Sequence, residues 1–267
     1  MNHLLFDKRQ GVLHITLNRP QVRNAMSLDM VRELREALQQ AEGDASVRVV
    51  VLRGSEGHFC AGADIKDMAA ARMRLAQGGF APAQDPIAEL NAAFGELCLA
   101  YARSPLPIVA VLEGSVMGGG FGLSCVSDVT LAAGSTVFRL PETSLGVIPA
   151  QIAPFLIERL GYAEAKRLAV TGGRITAEEA LTIRLVHQVL DSEAGLKAAL
   201  DKVVQDILAC APGALATTKA LMAKARFEEP QHLIAHAAQL FSKAAQGAEG
   251  LEGMTAFIEK RKPNWMQ

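Results

Sequence analysis

Hydrophobic and polar residues are arranged along the first part of the chain in blocks that predict alternating strands and helices. Short apolar runs at residues 4–7 and 12–18 predict two strands joined by a turn. Ser27 is the predicted N-cap of a helix from residue 28 to about 41, in which apolar residues recur at helical spacing. The near-continuous apolar run at 47–53 predicts a strand that helices bury on both faces. This strand–helix–strand order indicates a right-handed crossover and some parallel sheet.

The middle of the chain has a less regular pattern. Residues 68–86 are rich in alanine, then glycine and proline, which predicts a mobile or partly disordered loop after a short helix. The pattern becomes regular again with a helix at 87–102 and a pair of helices at 150–160 and 162–170 separated by Gly161. The predicted elements are therefore of mixed type, as in an α/β fold.

The last quarter of the chain predicts helices and no strand. Because helices that cannot bury their apolar faces on their own core often bury them against another subunit, we expect this part to take part in oligomerisation. We divide the chain into a core at 1–193 and a C-terminal helical oligomerisation region at 194–267. The four predicted helices of that region are 194–209, 213–225, 230–246 and 249–260.

The chain is organised around the stretch Ile108–Ala150. An apolar strand at 108–112 is followed by a turn and three glycines at 118–120, and a run of small residues then predicts a helix. A glycine turn at a helix start presents backbone N–H groups with a partial positive potential, which suits a phosphate or a transient oxyanion. A dinucleotide-binding motif is excluded because Leu123 stands where the third glycine is required, and no P-loop lysine follows.

Composition narrows the class of protein further. With 27 basic and 28 acidic residues the net charge is −1, which argues against nucleic-acid or membrane-surface binding as the main function. The four cysteines are scattered in apolar surroundings and are interpreted as free thiols in a reducing compartment. The N-terminus lacks a signal-peptide pattern, and no apolar run reaches the ~18 residues of a membrane span, so we expect a cytoplasmic protein.

Glu142 is the polar side chain in this stretch that is best suited to chemistry. It follows Pro141, precedes a predicted tight turn, and has mostly apolar neighbours in sequence. The carboxylate is either solvated in a turn or partly buried, in which case a raised pKa would let it give and take a proton near neutrality. His232 and His236 have a metal-like spacing on a helix, but no third ligand is near them in sequence, and we predict no metal site.

Six motifs occur in an order and spacing that are specific only when taken together. They are NRP at 18–20 with NAM at 24–26, FCAGADIKDM at 59–68, VLEGSVMGGGFGLS at 111–124, SDVTLAAGSTVFRLPETSLGVIPA at 127–150, VTGGRITAEEALTIRLV at 170–186, and GMTAFIEKRKPNW at 253–265. Through them the chain resembles the crotonase superfamily, which includes enoyl-CoA hydratases and isomerases, over nearly its full length.

The resemblance implies a spiral of ββα turns with a C-terminal α-helical trimerisation region, assembled as trimers or dimers of trimers. It implies an acyl-CoA thioester substrate and no separate cofactor, because coenzyme A is part of the substrate. The family's oxyanion hole maps onto the backbone N–H groups of Ala63 and Gly119, and the catalytic carboxylate onto Glu142. The family's substrate-binding positions map onto Arg23, Ala61, Asp64, Ile65, Lys66, Phe257 and Lys260. In the family, the last two positions often reach a neighbouring subunit. We assign four further residues to the acyl pocket or to the core behind it: Met117, Phe121, Gly122 and Arg139.

The chain departs from the two-glutamate hydratases of this family at one position. Their first glutamate corresponds to Gly122, whereas the second, twenty residues later, is retained as Glu142. A single carboxylate is compatible with an isomerase that moves a proton between C2 and C4, and with a hydratase in which Glu142 serves both roles. We favour the hydratase, because the run PETSLGVIPAQIAPFLIERLG is similar to hydratases of branched or glutaconyl-type CoA esters in leucine and acyclic-terpene breakdown.

Two further alternatives remain open at this point. If the acyl group carries a second carboxylate, Arg72, Arg74 or Arg139 is a candidate partner, although Arg139 could also pair with Glu142 or face solvent. The missing glutamate also permits a CoA-binding protein of this fold without catalytic activity.

Overall fold

The computed structural model of the chain describes residues 3–78 and 85–266. Within these ranges the strands are β1 Leu4–Arg9, β2 Val12–Leu17, β3 Val49–Gly54, β4 Ile108–Leu112, β5 Ser115–Met117, β6 Val129–Ala133, β7 Val137–Arg139, β8 Arg174–Thr176 and β9 Gln188–Leu190. The helices are α1 Leu28–Gly43, α2 Ile65–Ala76, α3 Pro86–Arg103, α4 Gly119–Val126, α5 Ala153–Thr171, α6 Ala177–Thr182, α7 Glu193–Leu208, α8 Pro212–Ala225, α9 Pro230–Gln246 and α10 Ala248–Ile258.

The strands form two sheets that the chain visits in turn. The larger sheet has the order β1-β2-β3-β4-β6-β9 and is parallel except for the β1–β2 hairpin. The smaller sheet has the order β5-β7-β8. In the units β4-β5-α4 and β6-β7-α5, the first strand joins the large sheet, the second joins the small sheet, and a helix follows. This repeat is the predicted spiral of ββα turns in an α/β fold.

Strand β3 lies at the centre of the large sheet and is buried on both faces, as its continuous apolar sequence predicts. Its residues alternate between two hydrophobic clusters: Val50 and Leu52 pack with α1 and α3, whereas Val49 and Val51 pack against α7. Leu196 and Leu200 of α7 belong to that second cluster. The first helix of the predicted C-terminal region therefore shares the core of the sheet.

Most predicted elements are confirmed, and their ends have local causes. The Ser27 side chain caps α1 by accepting the Met30 N–H, and Thr176 and Glu179 form the predicted capping box of α6. Gly161, with φ +74°, interrupts α5 where the sequence predicts a break between two helices.

Other expectations need correction. The helix before the predicted mobile loop is not short: α2 extends to Ala76, because residues 69–76 are mostly strong helix formers. Residues 79–84 of that loop lie outside the described residues. Cys210 is exposed, not in apolar surroundings, while the other three cysteines are buried. No helix in the described part of the chain is long and apolar enough to cross a membrane.

Candidate active site

The loop that contains Ala63 is held between two other segments of backbone. On one side the Met26 N–H donates to the Gly62 carbonyl (2.8 Å) and the Asp64 N–H donates to the Met26 carbonyl (2.9 Å). On the other side Cys60 makes the same type of bridge to β5. Because Met26 bonds the residues on either side of Ala63, the Ala63 N–H points away from Met26, and no acceptor among the described residues takes it.

The start of α4 faces this loop. Gly118 has φ +48° and ψ −113°, and the first helical hydrogen bond runs from the Gly122 N–H to the Gly118 carbonyl (3.0 Å). The Gly119 N–H therefore has no partner within the helix. A Cβ on Gly118 would lie 3.6 Å from the Cα of Gly62, so the two segments touch. The structure thus brings together the backbone of both predicted oxyanion donors.

Glu142 lies beside this helix start. It begins a short 3₁₀ turn, Glu142–Leu145, and its Oε1 would be only 2.9 Å from a Cβ on Gly118. Its Oε2 is buried and has no hydrogen-bond partner in the described ranges. Burial raises the pKa of Glu142, and a hydrogen bond from its own backbone offsets this in part. The carboxylate is therefore partly buried and is not a solvated turn residue.

The position of the missing second glutamate is filled by apolar atoms. A Cβ on Gly122 would lie 2.4 Å from Cγ2 of Ile152, and one on Gly119 would lie 2.6 Å from Cε of Met26. The ring of Phe94 reaches both positions, at 3.4 Å and 3.2 Å respectively. We call these three side chains (Met26, Phe94 and Ile152) the apolar wall. They come from separate segments, and the sequence assigned none of them to the site.

A network of buried polar groups supports the Ala63 loop. Asp64 forms an ion pair with Arg19 (2.7 Å) and caps α2 by accepting the Lys66 N–H (2.9 Å). Burial alone would raise the pKa of Asp64, but these two partners outweigh it and lower the pKa. Asn24 is fully buried and donates to the carbonyls of Ser55 and His58 (3.1 and 2.6 Å). The sequence assigned Asp64 as a substrate contact, whereas Arg19 and Asn24 appeared only as members of the NRP and NAM motifs and were given no role.

The other assigned positions are placed as follows. Ala61 and Met117 are half-buried at the site, and Arg23, Ile65 and Lys66 are exposed next to it in sequence. Phe121 is fully buried and packs edge-on against Phe138 (6.0 Å between ring centres), so it belongs to the core and not to a pocket wall. Phe257 is exposed in the last turn of α10, and Lys260 is exposed just after this helix, which packs mainly against α9.

The three arginines that are candidates for binding a second substrate carboxylate lie on two different elements. Arg72 and Arg74 are exposed on α2. Arg139 is half-buried on β7, in register with Met117 on the neighbouring strand. It makes no ion pair within residues 3–78 and 85–266, so the suggested pair between Arg139 and Glu142 is not formed.

A ββα spiral in which two backbone N–H groups lie beside a partly buried carboxylate is the arrangement of the crotonase-fold class. The profile of the family described as enoyl-CoA hydratase/isomerase matches residues 7–267, and the chain belongs to this family. It is an enzyme of the enoyl-CoA hydratase or isomerase class.

Individual relatives cover the whole chain. The 2,3-dehydroadipyl-CoA hydratase of Escherichia coli is 31% identical over 266 residues, which is 99% of both chains. An enoyl-CoA hydratase/isomerase structure from Marinobacter aquaeolei is 48% identical, covers 99% of both chains and has a TM-score of 0.95. Pseudomonas aeruginosa AtuE is 50% identical, covers 100% of both chains and has a TM-score of 0.94.

Proposed function

We propose that this enzyme is a hydratase that adds water across the Cα–Cβ bond of an enoyl-CoA thioester, with Glu142 as its only carboxylate catalyst. The observation that carries the proposal is the buried, unpartnered Oε2 of Glu142 at the start of α4. An unpaired carboxylate oxygen in an apolar site is costly, which suits a group that must accept a proton from a reactant.

The proposed reaction has two proton transfers through the same side chain. Glu142 takes a proton from water as the water oxygen bonds to Cβ, and the Cα–Cβ electron pair moves towards the thioester oxygen. The N–H groups of Ala63 and Gly119 hold the resulting enolate oxygen. Glu142 then returns the proton to Cα, so the elements of water are added and the enzyme is restored. Burial raises the pKa of Glu142, which makes its protonated form easier to reach than that of a solvated glutamate.

We further propose that the acyl group is branched at Cβ or carries a second carboxylate, as in glutaconyl-type esters. The E. coli relative is named for 2,3-dehydroadipyl-CoA, the thioester of a dicarboxylic acid. Arg139 supports this proposal because its half-buried guanidinium, on the strand next to Met117, has no ion-pair partner in the described part of the chain.

An isomerase is the second candidate, and the apolar wall favours it. Ile152 occupies the space where a second carboxylate would stand, and moving a proton from C4 to C2 needs one base and no activated water. The same Glu142 and the same oxyanion donors would carry out that reaction.

Turnover of three esters separates these possibilities. Crotonyl-CoA, a 3-enoyl-CoA and 3-methylglutaconyl-CoA are supplied to the wild type, to Glu142→Gln and to Glu56→Gln, a control in an exposed turn. We expect the conjugated-thioester absorbance to fall with the wild type and with the control, but not with Glu142→Gln. Gain of absorbance from the 3-enoyl ester alone would identify an isomerase. Unchanged activity in Glu142→Gln would refute the mechanism, and CoA binding without turnover of any ester would support a non-catalytic protein.

We also propose that the chain assembles as a homotrimer or a dimer of trimers and works in the cytoplasm. Large apolar side chains exposed on the last two helices support the assembly, and the three buried free thiols support a reducing compartment. Light scattering would measure the number of chains directly. The exposed side chains are Ile234, Phe241, Leu251, Met254, Phe257 and Ile258.

A further inference from the structure

The residue next to a proposed oxyanion donor makes an unusually buried ion pair. Asp64 directly follows Ala63, and its Oδ2 lies 2.7 Å from Nη2 of Arg19, with side-chain exposures of 8% and 15%. The other carboxylate oxygen accepts the Lys66 N–H at 2.9 Å. Both oxygens of Asp64 are therefore occupied by groups of the protein, which leaves this carboxylate poorly placed to contact coenzyme A.

Arg19 is fixed in turn to the segment that pairs with the Ala63 loop. Its Nη1 donates to the Ala25 carbonyl (2.6 Å), and its backbone N–H donates to the buried side chain of Asn24 (2.8 Å). Met26, the next residue after Ala25, takes part in both backbone hydrogen bonds that flank Ala63: it donates to the Gly62 carbonyl and accepts from the Asp64 N–H. Hydrogen bonds to Met26 therefore fix the Gly62 carbonyl before Ala63 and the Asp64 N–H after it, and the ion pair with Arg19 fixes the Asp64 side chain.

We propose that Arg19 and Asp64 are positioning residues that aim the Ala63 N–H at the thioester oxygen. This inference rests on the proposed function, because it assumes that Ala63 is an oxyanion donor. An N–H that is fixed before the reaction stabilises developing charge without reorganising, and a displacement of about 1 Å can cost up to ~100-fold in rate. The role differs from the contact with coenzyme A that the family resemblance implies for Asp64.

The two roles predict opposite kinetic effects of Asp64→Asn. Asparagine keeps the helix cap and most of the volume but removes the charge that holds Arg19. A positioning role predicts that kcat falls about 10- to 100-fold while KM, and the Kd of free coenzyme A, change less than about twofold. A direct contact with coenzyme A predicts that Kd and KM rise while kcat is kept, and this result would overturn the proposal.

A spectroscopic measurement in the Glu142→Gln background, where the proposed mechanism leaves no base to hydrate the probe, tests the aim of the N–H independently of turnover. The absorbance band of bound cinnamoyl-CoA moves to longer wavelength when its carbonyl oxygen accepts hydrogen bonds, so a reduced shift in Asp64→Asn reports a misaligned donor. Arg19→Lys, which keeps the charge but loses the planar fork, is the second variant and is expected to behave in the same way. An unchanged band shift in both variants would overturn the proposal.

Asp128→Asn serves as the matched control for loss of stability. Asp128 also accepts a backbone N–H, from Ile108 (2.7 Å), and pairs with Lys219, but it contacts no residue of the Ala63 loop. Asp128→Asn is expected to lower the unfolding temperature without changing the band shift. A reduced band shift in this control as well would show that the effect is general destabilisation, and it would overturn the proposal. A wild type that binds cinnamoyl-CoA with a shifted band but turns over no ester would count against the proposed function and leave this inference standing.

Discussion

Gly118 is the position where one added methyl group should damage both the backbone and the reaction. Its φ of +48° and ψ of −113° lie near the values of the first central residue of a type II′ turn, which favour glycine strongly. Because alanine is strained at these backbone angles, Gly118→Ala is expected to lower the free energy of unfolding by about 1–3 kcal/mol. For a domain of this size, that corresponds to roughly 2–4 °C in unfolding temperature per kcal/mol.

The effect of Gly118→Ala on activity has a separate cause. The new Cβ would lie 2.9 Å from Oε1 of Glu142, which is closer than the two atoms can remain. The carboxylate is the free end of a flexible side chain, so it should move aside at little cost in stability. A displacement of about 1 Å in a reacting group can reduce the rate up to ~100-fold, and we expect kcat to fall by 10- to 100-fold.

The measurement combines thermal unfolding at fixed protein concentration with loss of enoyl-thioester absorbance. Gly43→Ala is the matched control, because Gly43 ends α1 with no atom within 4 Å of the added Cβ. It should be neutral or stabilising by up to about 1 kcal/mol and should keep the wild-type kcat. A folded Gly118→Ala enzyme with kcat within about twofold of the control would refute the proposed placement of Glu142.

Three further predictions follow from the same site. Burial raises the pKa of Glu142 above its reference value of 4.5, so the stability that this group contributes is present below that pH and is lost as the pH rises through the folded-state pKa. In urea unfolding near neutrality, Glu142→Gln should therefore be more stable than the wild type. The difference should vanish at acidic pH. Gly122→Ala should destabilise by about 1–3 kcal/mol through the clash with Ile152, and adding Ile152→Ala should remove that particular penalty in a double-mutant cycle; simple additivity would contradict the contact. Arg139→Ala should raise KM for 3-methylglutaconyl-CoA more than for crotonyl-CoA, unlike Arg32→Ala on the exposed face of α1, and equal effects on both esters would exclude carboxylate recognition.

The longer secondary-structure elements were predictable because they depend on local chemistry. The capping box at Thr176 and Glu179, the cap at Ser27 and the break at Gly161 each act within a few residues, and all three are present. The small sheet was missed because β5, β7 and β8 have three residues each, too few to show a period of two.

The candidate site was predicted only in part, for a related reason. Glu142 and the glycine turn stand out in the sequence because both lie in one short stretch. The apolar wall does not, because Met26, Phe94 and Ile152 come from segments far apart in the chain and meet only across the face of α4. Sequence patterns report neighbours along the chain, whereas packing selects neighbours in space.

The sequence by itself determined the longer elements, the glycines that permit unusual backbone angles, and the single carboxylate left by Gly122. Only the tertiary structure decided the environments of those groups. The pKa of Glu142 depends on burial by other elements, and the partner of Asp64 is an arginine 45 residues earlier in the chain. Desolvation and ion pairing act over a few ångströms in space whatever the separation in sequence, so these properties exist only once the chain has folded.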